Sequence, residues 1–111
     1  MSKDEPVRFV GGGTVPARPL GKMTGTWPLA VLEIGSARVS LRMRTVVRGF
    51  RAEHLEAMPA TLVRVFPARG LTTRGVGFAD CEGRTFYFWT YRGRRILDLL
   101  AKRGYSVATY E

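Results

Sequence analysis

The sequence predicts a mainly β domain, an antiparallel barrel-like pair of sheets followed by one C-terminal helix. Three observations carry that expectation. Apolar and polar residues alternate at the strand period of two through the middle of the chain, most clearly where Ala37, Val39, Leu41 and Met43 interleave with Arg38, Ser40, Arg42 and Arg44. Short apolar runs recur between glycine-containing turns. After Tyr91 the period changes, with Ile96, Leu97 and Leu100 falling on one helical face. A chain of 111 residues with 45% hydrophobic content has room for one domain with one core.

The first 26 residues hold Gly11-Gly12-Gly13, Pro6, Pro16 and Pro19 among polar neighbours, a composition that predicts a flexible lead-in ahead of a domain spanning 27–111. Within it Val7 to Val10 could add a short edge strand. Leu29 to Ile34 reads as the first full strand, and Gly35-Ser36 as the tight turn that reverses the chain. The alternating segment 37–44 follows, with a core face and a cationic face. Val46 and Val47 predict a further strand ending near Phe50, and residues 51–59 read either as a helical turn or as an irregular edge. Thr61 to Phe66, Thr73 to Ala79 and Arg84 to Tyr91 are the remaining strands, parted by Arg69-Gly70 and by residues 80–83. The helix is expected over 93–103, with Asp98 near its start, Lys102 and Arg103 near its end where cations suit the dipole, and Gly104 as its stop. Tyr105 to Ala108 would pack as a tail.

Trp27-Pro28-Leu29 opening the first strand, Gly75-Val76-Gly77-Phe78, Phe86 to Thr90, and Ile96 to Leu100 followed by Lys102 to Tyr105 together resemble the pleckstrin-homology-like superfold, in its small bacterial form. The resemblance covers residues 27 to 110 or so. It implies two nearly orthogonal sheets in a partly open barrel whose end is plugged by the helix, and a docking module, since members of that group bind phosphoinositides in some cases and proteins in many. Lipid-binding members place basic residues in a generous loop between the first two strands. Here Gly35-Ser36 carries no cation, which leaves Arg38, Arg42 and Arg44 on the following strand to offer charge.

The formal charge is +9, from 15 Arg and 3 Lys against 9 acidic residues, and it is spread along the chain. Such a field favours anionic partners: an anionic lipid surface, nucleic acid or an acidic protein face. Two arginine groups are the candidate binding residues. Arg38, Arg42 and Arg44 repeat on one strand face, where guanidinium forks could meet successive phosphates or carboxylates, or could simply keep the sheet hydrated. Arg92, Arg94 and Arg95 flank a helix N-terminus, where an anion would offset cations that oppose the dipole. Tyr87, Trp89 and Tyr91 share a face opposite Phe86 and Phe88; one face should line the core and the other lie under the helix or the lead-in, though aromatics beside arginines could also stack bases.

Cys81 is the single cysteine, so no internal disulfide or multi-cysteine zinc site is possible and a reducing cytoplasm fits best. Its neighbours Asp80 and Glu82 disfavour a thiolate. His54 has no partner set for zinc, and Gly11-Gly12-Gly13 lacks the lysine and hydroxyl residue of a phosphate loop. The longest apolar run, Trp27 to Leu32, is too short to cross a bilayer, so any membrane contact is expected to be peripheral. No nucleophile is set beside a base and no carboxylates are paired, which leaves no cofactor or catalytic constellation to propose. The expected function is therefore a non-catalytic, adaptor-like domain docking a protein or peptide at a groove or sheet edge, with polyanion binding as the alternative.

Overall fold

The structure, a computed structural model, describes residues 6–18, 21–44, 51–70 and 73–108. Among them eight strands form one antiparallel sheet, curled into a half-barrel, and one helix follows. The strands are β1 (Val7–Arg18), β2 (Gly21–Ile34), β3 (Val39–Met43), β4 (Arg51–Ala52), β5 (Leu55–Ala57), β6 (Leu62–Arg69), β7 (Arg74–Asp80) and β8 (Thr85–Trp89); α1 is Gly93–Lys102. Their order is β5-β3-β2-β1-β8-β7-β6, with β4 pairing the end of β1. Two meanders are thus joined where the first strand meets the last.

That junction corrects the expected lead-in. Residues 7–18 are a central strand, hydrogen-bonded to β2 along one edge and to β8 and β4 along the other. The glycine triplet belongs there for steric reasons. A Cβ at Gly11 would lie 2.6 Å from the Trp89 carbonyl oxygen and 2.9 Å from the Phe88 ring, and one at Gly13 would lie 2.9 Å from the Ala30 Cβ. Glycine is therefore what allows β1 to pass so close to β8 and to the core. Alternation still holds across the triplet: Phe9, Val15 and Ala17 are buried, whereas Arg8 and Val10 are exposed.

The core lies in the concavity of the sheet. Phe78, Phe86 and Phe88 fill its centre, joined by Leu32, Ile34, Val39, Leu41 and Leu55 from the other half and by Ile96, Leu97 and Leu100 from α1. The helix runs where its period predicts, and its apolar stripe is buried as expected. Asp98 sits in its middle, leaving no acid in the first turn. Lys102 occupies the last turn. Arg103 donates from its Nη1 to the Ile34 and Gly35 carbonyls, both at 2.7 Å, so it ties the helix to the end of β2. Gly104 takes φ = 91°, the left-handed conformation of a helix stop. Tyr105 is then buried, and Val107 forms a parallel bridge to Val65 on β6.

Other boundaries differ in detail. The turn after β2 spans four residues, closed by the Gly35 N–H donating to the Arg38 carbonyl at 2.7 Å, and Ala37 is exposed in it instead of buried. Residues 51–59 take the edge form, as β4 and β5. The strand expected around Val46 and Val47 lies outside the described residues.

Candidate functional site

Between Gly11 and Gly13 the register of β1 with β2 shifts: Gly11 opposes Ala30, but Gly13 opposes Gly25. One residue of β1 therefore faces residues 26–29 of β2, which bulge outward. A cis peptide bond joins Trp27 to Pro28 within the bulge. The result is that Trp27, an aromatic residue with every reason to enter a core, stands 70% exposed on the convex face. Gly12 beneath has no room for a side chain, since its Cβ would lie 2.8 Å from the Gly25 carbonyl oxygen.

The neighbouring strand supplies the opposite wall. Trp89 lies across from Gly12 on β1 and Gly75 on β7, and Tyr87 across from Thr14 and Gly77, so each large ring is flanked by small residues. The Trp89 ring stacks on Tyr87 with centroids 5.4 Å apart and planes 2° from parallel; Tyr87 meets Phe66 edge-on at 6.2 Å. Trp89 Nε1 donates to Thr14 Oγ1 at 2.9 Å, which fixes the indole against β1. Beyond it Tyr91 projects 86% exposed.

These features enclose a largely apolar groove of about 480 Å³, floored by Gly11 and Gly12 and walled by Val10, Trp27, Trp89 and Tyr91, with Arg74 at one end. Of the five large hydrophobic residues exposed among the described residues, Val10, Trp27 and Tyr91 all lie here. Such a concentration of uncovered apolar surface marks an interaction site better than single exposed residues do. The sequence predicts that one face of the Arg84 to Tyr91 strand lines the core and the other lies under the helix or the lead-in, without saying which. In the structure Phe86 and Phe88 line the core, while Tyr87 and Trp89 are half-buried against β1, β6 and β7. The signals that could have located the groove were the glycine triplet and Trp27-Pro28, read together as a close strand crossing beside a bulge.

The predicted arginines separate into three places. Arg42 is exposed on β3 opposite Val31, which itself opposes Val10. Arg44 is exposed beside the bulge, its N–H donating to the Leu29 carbonyl at 2.6 Å. Arg38 precedes β3 and lines a separate cleft with Glu56, Asp80, Glu82 and Arg84. It does not join the other two. Arg92, Arg94 and Arg95 are exposed around the start of α1 and line a wide cleft with Tyr91, Asp98 and Lys102. The helix has no side-chain cap; the Thr90 hydroxyl instead accepts from the Arg92 N–H at 3.1 Å.

Three ion pairs among the described residues converge on Arg84. It reaches Asp80 at 2.7 Å, Glu82 at 3.0 Å and Glu53 at 3.1 Å. Asp80 is buried, and its Oδ1 also accepts from the backbone N–H groups of Glu82 and Arg84, so this network closes the β7–β8 turn. One guanidinium thus serves three carboxylates, and the backbone bonds to Asp80 give the network a structural role. Cys81 is exposed in that turn. No group of three His, Cys, Asp or Glu residues is placed to hold a metal among the described residues, and no helix there is long and apolar enough to cross a membrane. No family model matches the chain, nor does any curated protein or solved structure.

Proposed function

We propose that this protein is a non-catalytic cytoplasmic binding domain that docks a segment of a partner protein in the groove between the β2 bulge and the end of β8. The observation that carries the reading is the exposure of Trp27 and Tyr91 on either side of a glycine floor. Aromatic residues with uncovered faces around an apolar cleft are what anchors binding energy in protein interfaces. The sheet edges are poorer candidates. The edge of β6 is engaged by Val107, and β5 has only three residues to offer a strand. The meander order, with first and last strands paired and a helix at the end, supports the resemblance to pleckstrin-homology-like domains, and a single unpaired cysteine suits a reducing compartment.

Selection of a randomised peptide library on the purified protein tests the proposal. Recovered peptides should share a large apolar residue and should lose about tenfold or more in affinity on Trp27→Ala or Tyr91→Ala, with melting unchanged because both side chains stand in solvent. Affinity should fall no more than about tenfold between low and moderate salt, whereas phosphate-driven binding to lipid or nucleic acid would fall by about 1,000-fold or more if six or more phosphates were contacted. Recovery of no peptide, or of peptides indifferent to both substitutions, overturns the reading.

A further inference from the structure

We infer that the segment docked in this groove is acidic next to its apolar anchor, carrying carboxylates that meet Arg69 and Arg74. The inference rests on the groove reading and adds the chemistry of the occupant. Arg74 lines the end of the apolar groove, and with Thr90 and Tyr91 it also lines an adjoining cavity of about 430 Å³ that contains Arg69 and Pro67. The two spaces therefore share a wall, and a chain leaving the groove past Tyr91 enters the second.

Arg69 and Arg74 are directly opposed in the β6–β7 ladder. Cα atoms so paired lie about 5 Å apart, and like charges in that arrangement disfavour the sheet. Three ion pairs are gathered on Arg84, and neither Arg69 nor Arg74 has one among the described residues. Both side chains are exposed. An incoming carboxylate would bridge the two guanidinium groups, which are built for bidentate contact. The net charge of +9 would steer the same ligand toward the protein.

A polypeptide fits this pattern better than a nucleic acid strand does. Trp89 already has one ring face stacked on Tyr87 and its N–H given to Thr14, so it is held in place and offers a base one face at most. The groove has a glycine floor and a mostly apolar lining, which suits an aliphatic or aromatic side chain, and Arg74 is the only cation among the described residues of that lining to track a phosphate backbone.

The test compares peptides recovered by the parent with those recovered by the Arg69→Gln/Arg74→Gln double variant. Both residues are exposed, so this variant should fold as the parent does. Peptides from the parent should be enriched in Asp or Glu within about four residues of the apolar anchor, the reach of an extended chain of some 13 Å. Peptides from the variant should not. Changing those acids to Asn in a synthetic peptide should weaken binding to the parent about tenfold or more and leave binding to the variant unaltered. If parent-selected peptides lack acidic residues yet still depend on Trp27, the groove stands and the acidic occupant is overturned. If they are indifferent to Trp27, or none is recovered, both readings fall. Displacement of the peptide by a ten-nucleotide oligothymidylate, or by phosphatidylserine vesicles, at concentrations below the peptide's own dissociation constant would overturn the inference in favour of a phosphate ligand.

Discussion

Tyr105 is where the tail joins the core. The residue is 5% exposed, and its hydroxyl reaches toward the Ala57 carbonyl at 3.4 Å, too long to contribute much. Burial pushes the phenol above its ordinary value near 10, and Arg103 nearby offsets part of that rise. The folded protein therefore holds this proton more tightly than the unfolded chain does. Its contribution to stability is intact below the ordinary tyrosine range and is lost as pH rises through the raised value. Urea midpoints measured at about pH 8 and about pH 10.5 should fall more for the parent than for Tyr105→Phe; equal falls would mean that the phenol ionises in place. Individual residues were unevenly legible. Val39 and Leu41 declare their burial through alternation, whereas Gly11 and Gly13 look like punctuation. Their meaning depends on Phe88 and Ala30, residues remote in sequence that occupy the space a side chain would need.

The helix is the element most plainly written into the chain. Ile96, Leu97 and Leu100 form a single stripe, and all three are buried in the one core beneath the curled sheet. Replacing Leu100 by Ala should cost about 2 to 5 kcal/mol in a urea titration, because it removes a fully buried side chain from the hydrophobic core. A loss below about 1 kcal/mol would mean that α1 does not seal the core. The strand β1 was far less legible, and the reason is physical. Its glycines carry no side chain to mark a face, and Pro16 argues against a central strand; yet Pro16 sits where β1 has left β8 and lies just before β4 begins, and its carbonyl accepts from the Glu53 N–H at 2.8 Å. Close packing between backbones leaves no hydrophobic signature, so an element made that way reads as a linker. The groove inherited the same invisibility, since its floor is that strand and its wall is a bulge whose register only the pairing reveals.

For the molecule as a whole, the arginines are distributed over several surfaces, and their loss should separate stability from association. Substituting Gln for Arg38, Arg42 and Arg44 together should change unfolding free energy by no more than about 0.5 kcal/mol, since all three are exposed and none holds an ion pair among the described residues. Apolar-anchored peptides should still bind this variant, because none of the three lines the groove. Weaker retention of anionic vesicles or a mixed-sequence oligonucleotide, followed at two salt concentrations, would show those residues to be a diffuse polyanion surface; a loss of melting temperature would show that they support the sheet.

The parallel bridge between Val107 and Val65 has a bearing on how the protein behaves at high concentration. An open half-barrel leaves two margins at which backbone donors and acceptors could recruit another molecule's strand and propagate into aggregates. One margin, β5, is only three residues long. Along the other, β6 carries Pro67, which has no N–H to offer, and the tail engages its centre: the Val65 N–H donates to the Ser106 carbonyl at 2.8 Å, and the Ala108 N–H to the Val65 carbonyl at 2.7 Å. Four residues after the helix stop thus act as a blocking strand. A chain cut at Gly104 would keep most of its core and lose that block, exposing a template on which sheets from separate molecules could grow.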